Sequence, residues 1–368
     1  MSQSSILLDA RWLRSGIGRY TLSLLRKLKE HLSDTELWCI TNETDREMIL
    51  PYCDRVLVSR SGIYSLAEQI SLPSIARGSS IFHSPHYNFP LLWQERLIVT
   101  IHDLNHLLDD RYRRSWKSRL YARPMLLAAA KKADHIFTVS EYSKNAIVEH
   151  LGCAPDKITV TGCSVAPVFR PLSEGEITAQ LCRYLNRERP YCLYVGDLRP
   201  NKNLPALLRA LALLRQKRKD YPSLVIAGGD QPGWRQIVPL IEKLGLEKDI
   251  RWLPSMTDQT LAALYSGAQV TILPSFHEGF GLPVVESMSC GTPVICANAT
   301  SLPEVADGAA LLFNPESPED LAEKIEMVSD SKKLQLQLSV SGLRRAAFFT
   351  EDRQASLHAA VYRSILEN

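Results

Sequence analysis

The chain contains 368 residues, which corresponds to roughly two domains at about 150 residues per domain. Hydrophobic residues make up 45% and charged residues 23% of the chain, a composition that excludes a disordered or fibrous protein. The formal charge is +3, from 43 basic and 40 acidic residues, so the overall charge of the chain does not favour nucleic-acid binding. We therefore expect no nucleic-acid partner.

The sequence carries none of the patterns of a secreted or membrane-spanning protein. Its eight cysteines form no CxxC pair and no Cys/His cluster, which predicts reduced thiols. Its apolar runs are far shorter than the roughly 20 residues that cross a bilayer. The first residues lack the charged start, apolar stretch and cleavage site of a secretory signal. We expect a cytoplasmic protein.

Short apolar runs alternate with longer helical patterns in the first part of the chain, which is typical of βαβ units and a parallel sheet. A helix is predicted over residues 18–32, where leucines recur at helical spacing. Strands are predicted at residues 6–9, 37–40, 55–58, 80–83, 97–101, 135–139 and 158–160. The predicted fold class is therefore α/β, with Rossmann-like, doubly wound sheets.

The pattern breaks in a charged, proline-bearing stretch and then resumes. Further strands are predicted at 191–195, 223–227, 250–253, 270–273, 294–296 and 310–313, and helices at 204–216, 235–244, 259–266 and 318–328. From about 331 onwards the pattern is helical. We predict an N-terminal domain over 1–168, a connection over 169–189, a second domain over 190–350, and a helix over 351–368 that packs back toward the first domain.

Four glycine-containing loops are predicted to follow strands, at residues 14–21, 195–203, 227–230 and 274–286. In open α/β sheets the ligand crevice lies beyond the carboxyl ends of the strands, where helix N-termini favour phosphate. These loops are therefore the candidates for a ligand site.

The first loop contains Gly16 and Gly18, as a dinucleotide-binding fingerprint would. Thr21 stands where the last glycine or alanine of that fingerprint belongs, which weakens an NAD site and favours a single loop that approaches phosphate. A tight turn without a ligand is the alternative.

The loop at 274–286 is the most specific segment, because it places Glu278 at the end of a strand and Glu286 eight residues later. A helix that begins near Leu282 would leave the amides of Phe280, Gly281 and Leu282 for phosphate or sugar oxygens. The carboxylate of Glu286, about one turn into that helix, could accept hydrogen bonds from ribose hydroxyls. The alternative is a solvated loop with two ordinary acids.

This segment resembles the Glu-x7-Glu motif of the family 4 retaining glycosyltransferases, and the agreement continues through CGTPVICANATSLPEV. Four other pieces fall in the family's order, namely SGIGRYT, IHDL, TVSEYS and VGDLRPNKNL. The resemblance extends to bacterial mannosyltransferases of surface polysaccharide assembly. It implies the GT-B fold, in which two Rossmann-like domains face each other across a cleft.

The resemblance also implies roles for single residues. Glu278 would lie at the donor sugar near its reacting carbon, and Glu286 would hold the nucleotide ribose. Lys202 would offset the charge that grows on the leaving diphosphate. His102 would face the sugar from the first domain, where the alternative is a histidine that caps a strand.

The implied activity is the transfer of a hexose, with mannose from GDP-mannose as the first choice, onto a glycan or lipid-linked oligosaccharide. Gly16 and Gly18 would let the first loop reach toward phosphate or acceptor. No metal and no cofactor are implied besides the nucleotide sugar, which is a co-substrate. Retention leaves two routes open: attack on the same face with the donor phosphate taking the proton, or a covalent intermediate on a protein nucleophile.

One position departs from the family pattern. Many members carry an arginine after the glycine of the VG loop, whereas here Gly196 is followed by Asp197, and Arg199 is the candidate substitute.

Two rival functions stay open. An NAD-dependent oxidoreductase would explain the βα pattern but not the loop at 274–286, and a non-catalytic sugar-nucleotide-binding protein would explain Asp197.

The segment Arg111 to Arg123 combines six cations with three aromatic residues. Such a segment can lie on an anionic membrane surface or bind a phosphate-bearing acceptor, which predicts peripheral contact with the inner membrane surface. A solvated helix face is the alternative, because the segment lacks a wide apolar stripe.

Overall fold

The structure is a computed structural model that describes residues 4–13, 16–108, 116–185 and 190–367, without the side chains of 106 and 116–120. The described residues form two compact domains. The first domain comprises the described residues up to 164 together with 349–367, and the second comprises those from 165 to 348.

The first domain is built on a sheet of seven parallel strands in the order β3-β2-β1-β4-β5-β6-β7. The strands are β1 Ser4–Asp9, β2 Thr35–Thr41, β3 Arg55–Val58, β4 Ile81–Ser84, β5 Arg96–Thr100, β6 His135–Thr138 and β7 Ile158–Val160. The strand order reverses between β1 and β4, which makes this pair the topological switch point of the sheet.

Helices cover both faces of this sheet, because successive side chains of a strand point to opposite sides. Up to residue 164 the helices are α1 Gly16–Leu28, α2 Arg46–Ile49, α3 Leu66–Ile75, α4 Asn105–Leu108, α5 Trp116–Lys132 and α6 Glu141–Leu151. Leu7 is buried in a core with residues of α3, α5 and α6. Its neighbours Ile6 and Leu8 are buried in a second core, with residues of α1.

The second domain has six parallel strands in the order β10-β9-β8-β11-β12-β13, which is the Rossmann order when strands are counted from β8. The strands are β8 Tyr191–Val195, β9 Ser223–Ala227, β10 Ile250–Leu253, β11 Val270–Leu273, β12 Val294–Ala297 and β13 Leu311–Phe313. The helices are α7 Glu174–Leu181, α8 Leu204–Lys217, α9 Gln231–Leu244, α10 Asp258–Gly267, α11 Leu282–Ser289, α12 Leu302–Ala306, α13 Pro318–Asp330 and α14 Lys332–Ala346. Here the switch point lies between β8 and β11.

The stretch 169–189, which we predicted to connect the domains, contains the helix α7. Ser173 and Glu176 form a capping box at its start, in which each side chain hydrogen-bonds the other's backbone amide. Ile177 and Leu181 are buried in the core of the second domain. The stretch therefore contributes packing to that domain in addition to linking the two.

The helix α15, Glu351–Glu367, belongs to the first domain and packs against α1. The guanidinium of Arg26 lies 2.7 Å from a carboxylate oxygen of Glu351. In the interior, the hydroxyl of Tyr20 lies 2.8 Å from Nε2 of His358, and Tyr362 bonds Nδ1 of His83 at 2.6 Å. These buried polar contacts fix the position of α15 on the sheet.

Among the described residues, the structure contains no helix long and apolar enough to cross a membrane. All eight cysteines are free thiols. The basic segment Arg111 to Arg123 lies largely outside the description, which omits residues 111–115 and the side chains of 116–120. Its predicted membrane contact stays a prediction.

Candidate active site

Two loops meet at the switch point of the second domain. One follows β8 and carries residues 196–203, and the other follows β11 and carries residues 274–281. The amide of Phe276 donates to the carbonyl of Asn201 at 2.9 Å, which ties the loops together. A ligand crevice of an open α/β sheet is expected at this edge.

Lys202 and Glu278 form an ion pair between these loops. The ammonium lies 2.7 Å from Oε1 and 2.8 Å from Oε2 of the carboxylate, and the two side chains are only 17% and 11% exposed. Burial by itself lowers the pKa of Lys202, but the adjacent carboxylate outweighs it and the pKa is raised. The ion pair lies at the point where a phosphate ligand is expected.

The surroundings of Glu278 hold it by three further hydrogen bonds. The hydroxyl of Ser275 donates to Oε1 at 2.7 Å. The backbone amide of Glu278 donates to Thr300 at 3.0 Å, and its carbonyl accepts from Ser301 at 3.0 Å. Sequence reasoning did not identify these three residues, although Thr300 and Ser301 lie in the segment ANATSLPEV that supported the resemblance.

The departure at Asp197 has a local structural explanation. Its carboxylate accepts from Nε of Arg199 at 2.7 Å and from the Arg199 amide at 3.1 Å, and Nη2 of Arg199 bonds it as well. Burial raises the pKa of Asp197, but the guanidinium outweighs this and the pKa is lowered. Asp197 and Arg199 therefore neutralise each other, as Lys202 and Glu278 do.

Glu286 lies on α11, which begins at Leu282 as predicted. The residue is 2% exposed, and its carboxylate accepts from the hydroxyl of Tyr265 at 2.8 Å. Tyr265 lies on α10. The sequence predicted this helix but not its contact with Glu286. The tyrosine therefore helps to fix the orientation of the carboxylate.

The amides that precede α11 lie in a tightly packed turn. Phe280 is buried, and Gly281 adopts a left-handed φ of +94°. A Cβ at Gly281 would lie 2.5 Å from a methyl group of Leu302, so the position requires glycine for steric reasons as well. No side chain caps the start of α11, and Leu282 is partly exposed.

In the first domain, His102 follows β5 and is held by a backbone contact. Its Nε2 lies 2.9 Å from the carbonyl of Pro85 and must donate to it, which leaves Nδ1 without a proton in the neutral ring. Burial lowers the pKa of His102, so the ring is neutral at pH 7. The edge of Tyr20 packs against it, with ring centroids 4.8 Å apart.

The two glycines of the first loop differ in their surroundings. Gly16 is exposed, and none of the described residues has an atom within 4 Å of the position a Cβ would take. At Gly18 a Cβ would lie 2.0 Å from the carbonyl oxygen of Leu13. Gly18 therefore has a packing function in the fold, whereas a side chain at Gly16 would meet none of the described residues.

The predicted site residues thus fall into two groups. Glu278, Lys202 and Glu286 lie with the turn at 280–282 beside the switch point of the second domain. His102, Gly16 and Gly18 lie in the first domain, after β5 and at the start of α1.

Comparison with known families agrees with this division. Residues 14–169 match the model described as Glycosyltransferase Family 4. Residues 183–344 match the model described as Glycosyl transferases group 1. The first match contains strands β2 to β7 of the first sheet, and the second contains the whole second sheet and the Glu278 loop.

Three known proteins illustrate the similarity. The chain is 31% identical to O-antigen chain mannosyltransferase B of Escherichia coli over 84% of this chain and 86% of that protein. It is 28% identical to the serotype-specific mannosyltransferase WbdA of Escherichia coli over 74% of this chain, which spans 34% of WbdA. The crystal structure of Anabaena HepE in complex with UDP-glucose superposes with a TM-score of 0.77 at 18% identity, over 98% of this chain and 99% of HepE. The fold is thus GT-B, and the chain belongs to the family 4 glycosyltransferases.

Proposed function

We propose that this glycosyltransferase is a retaining mannosyltransferase that uses GDP-mannose and extends a glycan or lipid-linked oligosaccharide. The observation that carries the proposal is the buried ion pair of Lys202 and Glu278 at the switch point of the second sheet. A sugar nucleotide has a diphosphate for the lysine and a sugar for the glutamate. The pair therefore matches both halves of the donor.

The charge balance of the site explains how the leaving group is stabilised. When the bond between the sugar and the diphosphate breaks, negative charge grows on the phosphate oxygens. The Lys202 ammonium lies at the loop where these oxygens would bind, and can offset that charge without a metal ion. Diphosphate binding would shift Lys202 from Glu278 to phosphate, which frees the carboxylate to orient the sugar.

The other site residues complete the proposed donor contacts. The carboxylate of Glu286, which accepts from the Tyr265 hydroxyl at 2.8 Å, would accept hydrogen bonds from the ribose hydroxyls. In the first domain, the neutral ring of His102 has Nδ1 as a hydrogen-bond acceptor, for which the family resemblance implies a sugar hydroxyl as the partner. In the overall reaction, the acceptor hydroxyl forms the new glycosidic bond and its proton leaves with the nucleoside diphosphate, so that atoms and charge balance.

The choice of donor rests on relatives and needs a direct test. O-antigen chain mannosyltransferase B and WbdA are named for mannosyl transfer, whereas HepE is named in complex with UDP-glucose. The test is a thermal-shift panel of GDP-mannose, UDP-glucose, UDP-N-acetylglucosamine, ADP-glucose and NAD, because a ligand that binds the native state raises Tm. We expect GDP-mannose to give the largest shift.

A shift with another sugar nucleotide would replace mannose by that sugar, and a shift with NAD alone would overturn the proposal. Proton NMR of the product made with mannotriose would then report the anomeric configuration. An inverted linkage would contradict the retaining assignment while leaving the donor assignment intact.

A further inference from the structure

We propose that four aromatic side chains of the first domain, Trp12, Tyr64, His86 and Tyr121, bind a hexose ring of the acceptor glycan. We call them the aromatic cluster. The assignment rests on the proposed function, because it supplies the acceptor site of the same transferase.

The cluster lies at the edge of the first sheet where a ligand crevice is expected. Trp12 follows the end of β1 by three residues, and His86 follows the end of β4 by two. These strands are neighbours at the switch point, so their carboxyl ends meet. Tyr64 comes from the connection between β3 and α3, and Tyr121 from α5.

The rings pack together around Tyr64. Its ring centroid lies 5.5 Å from Trp12, 6.1 Å from His86 and 5.3 Å from Tyr121, each in an edge-to-face arrangement. Trp12 and His86 are buried, whereas Tyr64 remains 48% exposed. The cluster therefore presents one supported aromatic ring to solvent.

The backbone at Tyr64 is strained in a way that the fold alone does not require. The amide of Ser65 donates to the carbonyl of Gly62 at 3.2 Å, which closes a turn with Tyr64 at its third position. Tyr64 has a φ of +65°, whereas this turn position normally takes glycine or asparagine. A tyrosine there indicates that its side chain is needed, because strain of this kind collects at functional sites.

A buried ionic network holds the segments that carry the cluster. The Glu68 carboxylate accepts from the Tyr64 amide and from Asn88, both at 2.9 Å, and pairs with Arg11 at 3.1 Å. The hydroxyl of Tyr121 donates to Asn88. Arg11 in turn binds Asp9 through Nε at 2.8 Å and Nη2 at 2.7 Å. The cluster is therefore preorganised, since breaking a buried ionic network is costly.

This combination suits a sugar ring better than a phosphate or a nucleotide. One face of a hexose carries C–H groups, which pack favourably against the electron-rich face of an aromatic ring. The cation of the network, Arg11, is fully buried and paired with Asp9 and Glu68, so it does not offer its charge to a phosphate. Binding sites for small molecules typically combine such apolar surfaces with few polar groups.

The test replaces Tyr64 by residues that fit its backbone. In Tyr64→Gly, the aromatic ring is lost and φ is no longer strained. In Tyr64→Phe, the ring is kept and only the hydroxyl is lost. Leu66→Ala is the matched control, because Leu66 is 88% exposed two residues away. Mannotriose is the acceptor probe, and donor hydrolysis in its absence is measured in parallel.

We expect Tyr64→Gly to raise the KM for mannotriose about tenfold, the scale of one lost aromatic contact. The KM for the donor, the rate of donor hydrolysis and Tm should stay near the wild-type values, and Tyr64→Phe and Leu66→Ala should resemble the wild type. An unchanged mannotriose KM in Tyr64→Gly would overturn the proposal. If that variant does not fold, the KM for mannotriose is measured with Tyr64→Asn instead, because asparagine also tolerates positive φ.

Calorimetric titration of mannotriose without donor separates this inference from the proposed function. If no sugar nucleotide binds but mannotriose binding depends on Tyr64, the acceptor-binding role of the aromatic cluster is supported and the donor assignment is wrong. If the donor is hydrolysed normally but mannotriose binding does not depend on Tyr64, the cluster assignment is wrong and the proposed function stands.

Discussion

The ammonium of Lys202 lies within 2.8 Å of both carboxylate oxygens of Glu278, although the two residues are 76 positions apart in the chain. Each residue thus supplies the counter-ion of the other in the absence of substrate. In the proposed donor complex, the diphosphate would replace Glu278 as the partner of Lys202. This exchange leads to specific expectations for variants of either residue.

Replacing Glu278 by glutamine should separate chemistry from binding. We expect Glu278→Gln to lower kcat by at least about 100-fold, the scale for losing one preorganised electrostatic contact. GDP affinity should stay within a few fold of wild type or improve, because the carboxylate no longer competes for Lys202. Isothermal titration with GDP and initial-rate kinetics check this, and a large loss of GDP affinity would contradict the assigned role.

Replacing Lys202 by methionine should act on the diphosphate. We expect Lys202→Met to weaken GDP binding about 10- to 100-fold, because a hydrogen bond to a charged group contributes about 1.5–3 kcal/mol. GMP should be affected less, since it lacks the second phosphate. Lys217, whose ammonium pairs with Glu326 on the surface, offers the matched control Lys217→Met. Equal losses for GDP and GMP would show that the lysine does not contact the second phosphate.

Glu286 and Tyr265 should affect donor binding together. We expect Glu286→Gln to raise the donor KM with little change in kcat, and Tyr265→Phe to have the same effect to a smaller degree, because the tyrosine hydroxyl orients the carboxylate. A matched comparison of GDP with 2′,3′-dideoxy-GDP checks the ribose contact. If Glu286→Gln weakens both nucleotides equally, the ribose assignment is wrong.

The two glycines of the first loop form a natural pair of variants. We expect Gly18→Ala to destabilise the fold by about 1–3 kcal/mol, because the added methyl overlaps the Leu13 carbonyl. Gly16→Ala should leave Tm unchanged, because its surroundings among the described residues are open. Any change in substrate KM for Gly16→Ala would then report a ligand contact. A Gly18→Ala protein with wild-type Tm would contradict the packing argument.

Buried His358 should make stability depend on pH. Burial lowers its pKa from 6.5 to about 4 in the folded protein, although the hydrogen bond that Nδ1 donates to the Gln354 carbonyl acts in the opposite direction. Its contribution to stability is therefore complete above pH 6.5 and is lost as pH falls toward 4. We expect Tm to fall over that range, and less steeply in His358→Gln. His150→Gln, at an exposed histidine, should keep the wild-type slope.

Much of the fold could be predicted from sequence because the relevant signals are local. The strand β8 ends at Val195 as predicted, since its apolar run is bounded by Pro190 and Gly196. The helix α7 was not predicted, because Pro171 and the charges around it resemble a loop, although the Ser-x-x-Glu capping signal was present. The first helix begins at Gly16, two residues before the predicted start.

The candidate site was predictable only in part. Lys202 and Glu278 follow strands that meet at a switch point, so their proximity follows from topology once the strands are known. The bond between Tyr265 and Glu286 depends on which helices are neighbours, which hydrophobic periodicity does not specify. The ion pair of Arg11 and Glu68, which are 57 residues apart, likewise depends on a long-range contact, here between the loop after β1 and the helix α3.

The return of α15 to the first domain imposes an order on biosynthesis. Domains usually fold in turn as the ribosome releases them, the N-terminal one first. Here Ala355, Ala359 and Tyr362 fill the same core as Leu8, so that core cannot close until the whole second domain has been translated. The nascent first domain must keep an apolar face open during that interval, and a chain truncated before α15 should leave this core permanently incomplete.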